Sequence, residues 1–365
     1  MKDIVTHAPD EGKGKLTDGG HNAGRSIKAN GVSYDFHLLP SGLVVPSCVN
    51  LIGSVVVFHV PPFFKELADI EAKGIKNARQ RIFVSDRCHI NFDLHAAVDG
   101  LEEAELGAAA VGTTQRGVGP ACGSDLLEYD VEEEIARFKE YRVSLADYVI
   151  DAVEFMKDAQ DKQVKILVDG SQALMLDIDY GTYPFVTSSN TCLGGIASGL
   201  GLRRRNIKEV IGVVKAYTTR VGSGCFPTED TGEIGSQLQQ IGGEIGVSTG
   251  RKRRCGWLDL VVLRYSCAVN GYDSLQLSKL EVLDSFEKIQ IGIAYKNKET
   301  GEELPAFPAD HSLLERVEVV YHEMPGWNTG TSNVCEWSAL LKEARDYVEH
   351  IENFVQTKIK YWNWP

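Results

Sequence analysis

The chain has 365 residues, 43% of them hydrophobic and 24% charged, with a formal net charge of -13. That is enough apolar sequence to bury a large core, as one big α/β domain or two smaller ones. The acidic excess argues against an extended nucleic-acid surface, which needs a basic field to release counterions, but leaves local cationic clusters compatible with small phosphorylated ligands.

Met1 to Lys15 is too polar for a signal peptide, and no apolar run reaches the roughly 18 residues of a membrane span. The eight cysteines form no CxxC pair and no short His/Cys ligand spacing. No membrane partner is expected, and a reducing cytoplasm is the expected location. Near the N-terminus, Asp10, Glu11, Gly12, Lys13, Gly14 and Lys15 set two carboxylates beside two glycines and two lysines. Glycines let backbone N–H groups approach phosphate, lysine adds point charge, and a carboxylate can hold Mg2+ or act as a base. The same string also reads as a polar N-terminal loop. Gly112 to Pro120, with Thr113 and Thr114, suits phosphate or simply a tight turn.

Further along, β-branched apolar runs alternate with helical patterns, which predicts an α/β fold with a largely parallel sheet. Val164 to Val168 and Val210 to Tyr217 read as buried strands whose polar ends are where ligand groups usually sit. Asp169, Gly170, Ser171 and Gln172 follow the first, putting an amide side chain where it can read a ligand edge. Arg251, Lys252, Arg253 and Arg254 are four consecutive cations in an acidic chain, and so point to an anion. Guanidinium forks suit bidentate carboxylate or phosphate, and a solvated basic patch or nuclear-import signal is the alternative. Leu258 to Val269 has helical spacing closed by Asn270 and Gly271. Ser274 to Val282 reads as a strand, with Ser278, Lys279, Leu280 and Glu281 at its end. Leu340, Leu341, Ala344, Tyr347, Val348, Ile351 and Phe354 mark an amphipathic helix. No repeat or long linker divides the sequence, so a single domain over 1–365 is expected.

Asp177 to Thr191 and Ser248 to Asp259 together resemble the adenylosuccinate synthetase family, and the resemblance extends over nearly the whole chain. It implies an α/β ligase of P-loop-NTPase-like synthetase architecture, with a large, mostly parallel central sheet flanked by helices. The implied reaction joins L-aspartate to inosine monophosphate (IMP) with GTP as co-substrate, giving adenylosuccinate, GDP and phosphate in AMP biosynthesis. The implied protein is a Mg2+-dependent cytoplasmic homodimer. Carried over by motif, Asp10 is the general base and a Mg2+ ligand, and Glu11, Gly12, Lys13, Gly14 and Lys15 contact the GTP phosphates. Asn22 touches IMP, Gly24 lends Mg2+ its carbonyl, and Arg25 occupies the position of the family's catalytic histidine. Thr114, Gln172 and Thr187 bind IMP. The loop Val247, Ser248, Thr249, Gly250, Arg251, Lys252 and Arg253 closes over aspartate, with Arg251 also near IMP and Arg253 near GTP. Lys279 and Glu281 fall on the guanine-reading element.

The sequence also departs from the family pattern. Arg25 keeps a positive charge but cannot release a proton at neutral pH. Glu281 replaces an aspartate, which keeps the acceptor but shifts its reach. Family segments are skipped after Asp18 and after Pro120, where Ser124 to Asp130 lacks the arginine that reaches a partner subunit's IMP. Tyr361 to Pro365 stops before the terminal guanine-contacting segment. A second reading therefore stays open, a catalytically impaired homologue that retains nucleotide or subunit binding.

Overall fold

A computed structural model describes residues 4–6, 25–29, 31–54, 56–106, 131–168, 170, 172–246, 250–334 and 336–362. It divides into two compact units, one within Met1–Ile207 and the other within Lys208–Gly246 and Gly250–Pro365. In chain order the first unit contains β1 (Ile4–Thr6), β2 (Arg25–Ala29), β3 (Val32–Phe36), β4 (Val49–Ile52), β5 (Val57–His59), α1 (Val60–Ala72), β6 (Ile82–Ser85) and β7 (His89–Asn91). It continues through α2 (Asp93–Leu106), α3 (Val131–Leu145), β8 (Val149–Ile150), α4 (Ala152–Asp161), β9 (Ile166–Leu167) and α5 (Leu193–Gly199).

Its main sheet is parallel, in the order β8-β6-β4-β1-β9, while β2 and β3 form an antiparallel hairpin. Helix α1 carries Pro61 and Pro62 in its first turn, where their missing N–H groups cost nothing. It buries Phe63, Leu67 and Ile70 at helical spacing against a core that includes Phe36, Leu38, Phe58 and Ile82. Glu66 on the same face is buried because it accepts three backbone N–H groups, from His37 (2.8 Å), Leu38 (2.9 Å) and Leu39 (3.1 Å). The expected buried strand over Val164 to Val168 shrinks to β9, and Leu167 is 54% exposed. It lies at the end of the sheet order, with β1 as its strand neighbour.

The second unit contains β10 (Ile211–Lys215), β11 (Thr218–Arg220), α6 (Glu233–Ile241), β12 (Arg254–Gly256), β13 (Leu258–Asp259) and α7 (Leu260–Asn270). There follow β14 (Ser274–Ser278), β15 (Lys288–Asn297), α8 (His311–Leu314), β16 (Val317–Pro325), α9 (Lys342–Val355) and β17 (Ile359–Trp362). A parallel sheet β10-β14-β17 runs in register from Ile211 opposite Ser274 to Lys215 opposite Ser278, so Lys215 and Ser278 end their strands together. A long antiparallel ribbon of β15 and β16 takes β13 as a third, parallel strand. The α/β class, with helices and parallel sheets, is the class the chain forms.

Three sequence boundaries move. The helix read from Leu258 begins at Leu260, because Asp259 is extended and caps it, accepting from Val261 N at 3.1 Å and Val262 N at 3.2 Å. The strand read to Val282 stops at Ser278, where Lys279 turns left-handed (φ 62) into a short 3-10 turn over Leu280–Leu283. Helix α9 starts after Leu340 and Leu341, and it buries Ala344, Tyr347, Val348, Ile351 and Val355. Among the described residues no helix is long and apolar enough to cross a membrane.

Candidate functional site

In the first unit, the loop after β9 is organised by one carboxylate. Asp177 is fully buried, and its Oδ1 accepts from Asp179 N (2.9 Å) and Tyr180 N (2.9 Å). Its Oδ2 accepts from Thr191 N (2.5 Å) and Cys192 N (3.0 Å), so residues far apart in the loop close on one side chain. Burial would push this carboxyl up, but the four N–H donors outweigh it and hold it below its ordinary range. Gly181 packs so tightly beneath that an added Cβ would stand 2.4 Å from Asp177 O and 2.6 Å from Met175 O.

Two polar side chains of this loop are left with a purpose to be found. Gln172 has a left-handed backbone (φ 49), and its Oε1 is buried with no hydrogen-bond partner among the described residues. Ser189 Oγ is in the same condition. An unsatisfied buried acceptor costs about 1–3 kcal/mol, which a ligand N–H would relieve. Thr187 is half-buried, and its N–H donates to Leu176 O at 2.8 Å, fixing its place in the loop.

In the second unit, the basic stretch is one arm of a hairpin. Helix α6 ends at Ile241, and Gly242, Gly243 and Glu244 carry the chain into the first arm. The arms are joined by Arg253 N to Glu244 O (2.9 Å), by Gly246 N to Arg251 O (2.7 Å) and by a bridge between Ile245 and Lys252. Gly250 takes φ 64, and its N–H donates to Gly246 O at 2.8 Å. Arg251 and Lys252 are exposed. Arg253 is drawn in, with Nη1 3.4 Å from Glu244 Oε2. The fourth cation does not join the others. Arg254 donates to Glu229 through Nε at 2.8 Å and to Gly224 O through Nη1 at 2.8 Å, so it closes a protein loop. Of the four cations expected to face an anionic ligand, Arg254 instead pairs with a carboxylate of the protein that lies 25 residues back in sequence.

Lys279 stands at the end of β14 with Nζ donating to Gly242 O at 2.7 Å, and Glu281 is half-buried in the 3-10 turn that follows. Arg25 opens β2, its backbone opposite Phe36. Thus Gln172 and Thr187 share one loop in the first unit, whereas Gly250, Arg251, Lys252, Arg253, Lys279 and Glu281 belong to the second. Asp10, Glu11, Gly12, Lys13, Gly14, Lys15, Asn22, Gly24, Thr114, Val247, Ser248 and Thr249 lie outside the described residues. Among the described residues no group of three or more His, Cys, Asp or Glu side chains could hold a metal ion. Asp177 and Glu244, which hold the two loops, were not singled out from sequence. Acidic residues flanked by Gly and polar residues look solvated there, and only the fold reveals their burial.

Comparison with known proteins places these loops in context. The adenylosuccinate synthetase family model matches residues 9–126 and 122–363. The adenylosuccinate synthetase of Pyricularia oryzae is 60% identical over 96% of this chain and 94% of its own length. That of Neurospora crassa is 58% identical over 96% and 93%. Among solved structures, fully ligated adenylosuccinate synthetase from Plasmodium falciparum matches with a TM-score of 0.90 at 35% identity, covering 99% of this chain and 91% of that one. A cyanophage S-2L succinoaminodeoxyadenylate synthetase, 18% identical with a TM-score of 0.59 over 99% of this chain and 84% of that one, shares the fold alone.

Proposed function

The chain belongs to the adenylosuccinate synthetase family, ligases that form a C–N bond between IMP and L-aspartate with GTP as co-substrate, and on that premise we propose how its residues divide the work. Gln172, Thr187, Asn22 and Thr114 hold IMP. Asp10 takes the N1 proton of IMP, so that O6 attacks the γ-phosphorus of GTP and the bond to the β-phosphate oxygen breaks, releasing GDP. The amine of aspartate then attacks C6 and expels phosphate, while Thr249, Arg251 and Arg253 hold its carboxylates. Glu11, Gly12, Lys13, Gly14 and Lys15 cradle the GTP phosphates, with Lys279 and Glu281 on the guanine.

Asp10 and the carbonyl of Gly24 are hard oxygen donors of the kind Mg2+ takes, and they would hold that ion. Bound there, it would supply charge neutralisation on the phosphates. A cytoplasmic homodimer is the assembly in keeping with this reading, and one domain over 1–365 the organisation.

The observation that carries the proposal is the buried Oε1 of Gln172, without a hydrogen-bond partner among the described residues, in a loop locked by Asp177, a rigid acceptor set for a ligand N–H. Phosphate release coupled to an optical readout is the test. Release is expected only when IMP, L-aspartate and GTP are present together. Release that ignores IMP or aspartate would overturn the assignment.

A further inference from the structure

One buried carboxylate in the second unit joins the base of the cationic hairpin to β10 and Tyr217. Glu244 is 3% exposed, and Lys215, itself 5% exposed, brings Nζ to 3.0 Å from both of its oxygens. Tyr217 donates its hydroxyl to Oε1 at 2.5 Å, and Arg253 Nη1 reaches Oε2 at 3.4 Å. The backbone of Glu244 meets Arg253 as well, through the 2.9 Å bond to its carbonyl. Two residues earlier, Gly242 accepts from Lys279 Nζ, and a Cβ there would stand 2.2 Å from Tyr217 Oη.

Charges are costly to bury, and an apolar set of equal volume commonly gives no less stability, so stability alone does not account for this cluster. What it does is geometric. Two cations converge on one carboxylate, and one of the two is the guanidinium in the hairpin arm. Lys215 and Tyr217 approach from β10 and the segment after it, so the carboxylate cannot rotate without breaking bonds to rigid elements.

We propose that Glu244 is a positioning residue for the ligase reaction, orienting the Arg253 guanidinium and bracing the stem from which Gly250 to Arg253 project. The proposal rests on reading this hairpin as the aspartate clamp. It acts through Arg253, and no contact of Glu244 with a substrate is implied.

Two readouts on the full chain test it. Glu244→Gln is expected to raise KM for aspartate roughly 10- to 100-fold with KM for IMP near wild type, the effect of losing a charge-assisted hydrogen bond that orients a ligand-facing group. Limited trypsin digestion, read by mass spectrometry, should show cleavage after Arg251 to Arg254 accelerated relative to other sites. Glu244→Gln leaves Lys215 buried with a weakened partner, so the double variant Glu244→Gln with Lys215→Met is made beside it. Thermal stability should recover in the double variant while the aspartate KM and the tryptic cleavage stay elevated. Recovery of all three together would mean that Glu244 only balances Lys215, and would overturn the proposal. Unchanged stem cleavage would overturn it whatever the activity. If wild type shows no substrate-dependent turnover yet Glu244→Gln loosens the stem, the ligase assignment fails while the bracing role stands.

Discussion

Arg251 and Arg253 sit two positions apart in one hairpin arm, and their surroundings separate what each should do when removed. Arg251 is exposed, so Arg251→Ala should leave the melting temperature within the small range usual for surface changes. As a proposed aspartate ligand it should nonetheless raise KM for aspartate about 10- to 100-fold, the scale of a lost charge-assisted hydrogen bond. Steady-state kinetics with a parallel melt decides this, and a melting temperature that falls in step with affinity would count against a ligand role. Arg25 makes a different prediction. If it stands where the family holds a general acid, Arg25→His should raise kcat by roughly 10²–10⁴. The rate should then fall on the alkaline side with an apparent pKa near about 6.5, as the imidazolium is lost. A pH–rate profile unchanged by the substitution would remove this position from the proton chemistry. At this scale the sequence showed the cations but not their partners. Arg254 looks like its neighbours until Glu229 appears beside it, and Glu244 looks like a solvated acid until Lys215, Tyr217 and Arg253 close over it.

Elements were legible where local chemistry alone decides them. Helix α7 could be read from its spacing and from Asn270–Gly271, because Gly271 takes φ 60, a backbone that glycine adopts without strain. Gly271→Ala should therefore cost about 1 kcal/mol, seen as a lower urea midpoint with unchanged KM values. Helix α9 was legible for the same reason, its apolar residues recurring on one face. Boundaries set by tertiary contacts were not. Lys279 turns left-handed at the end of β14 and ends a run whose apolar pattern continues to Val282. The loop of Asp177 shows the limit most clearly, since its closure joins residues 14 and 15 apart through one side chain. Gly181→Ala tests that loop as a unit. Its Cβ would press on the carbonyls of Asp177 and Met175, which accept from Gly181 N at 2.9 Å and Thr182 N at 3.0 Å, so IMP affinity should drop with GTP affinity preserved. Isothermal titration with each nucleotide checks it, and an equal loss for both would show that the loop does not serve IMP in particular.

Across the whole molecule, buried carboxylates pull stability in opposite directions with pH. Asp177 and Glu244 are both desolvated, yet backbone donors around the first, and Lys215, Tyr217 and Arg253 around the second, hold their carboxyls below the ordinary range. Each therefore adds stability that is present above the unfolded-chain pKa and is lost as pH falls through the lower folded value. Asp259 is the reverse. Full burial raises it to about 6, and the bonds from Tyr295 at 2.5 Å and from Val262 and Val261 N only partly offset this. Below about 4 the group is protonated both folded and unfolded, and its contribution is whole. As pH rises past about 6 the folded protein must ionise a buried acid that the unfolded chain ionised earlier, and that contribution is gone. The shift from 3.8 to about 6 corresponds to about 3 kcal/mol at about 1.4 kcal/mol per unit. Asp259→Asn cannot ionise, yet its amide oxygen can still cap α7. The stability of wild type relative to Asp259→Asn should therefore fall by about 2 kcal/mol between pH 4 and pH 7, the rest of the change lying below pH 4, with the acid limb from Asp177 and Glu244 common to both and cancelling. Urea midpoints of the two proteins across that range measure it. A difference that stays flat would mean that Asp259 is ionised in the folded protein throughout, held by Tyr295 and its two amides more strongly than burial opposes it.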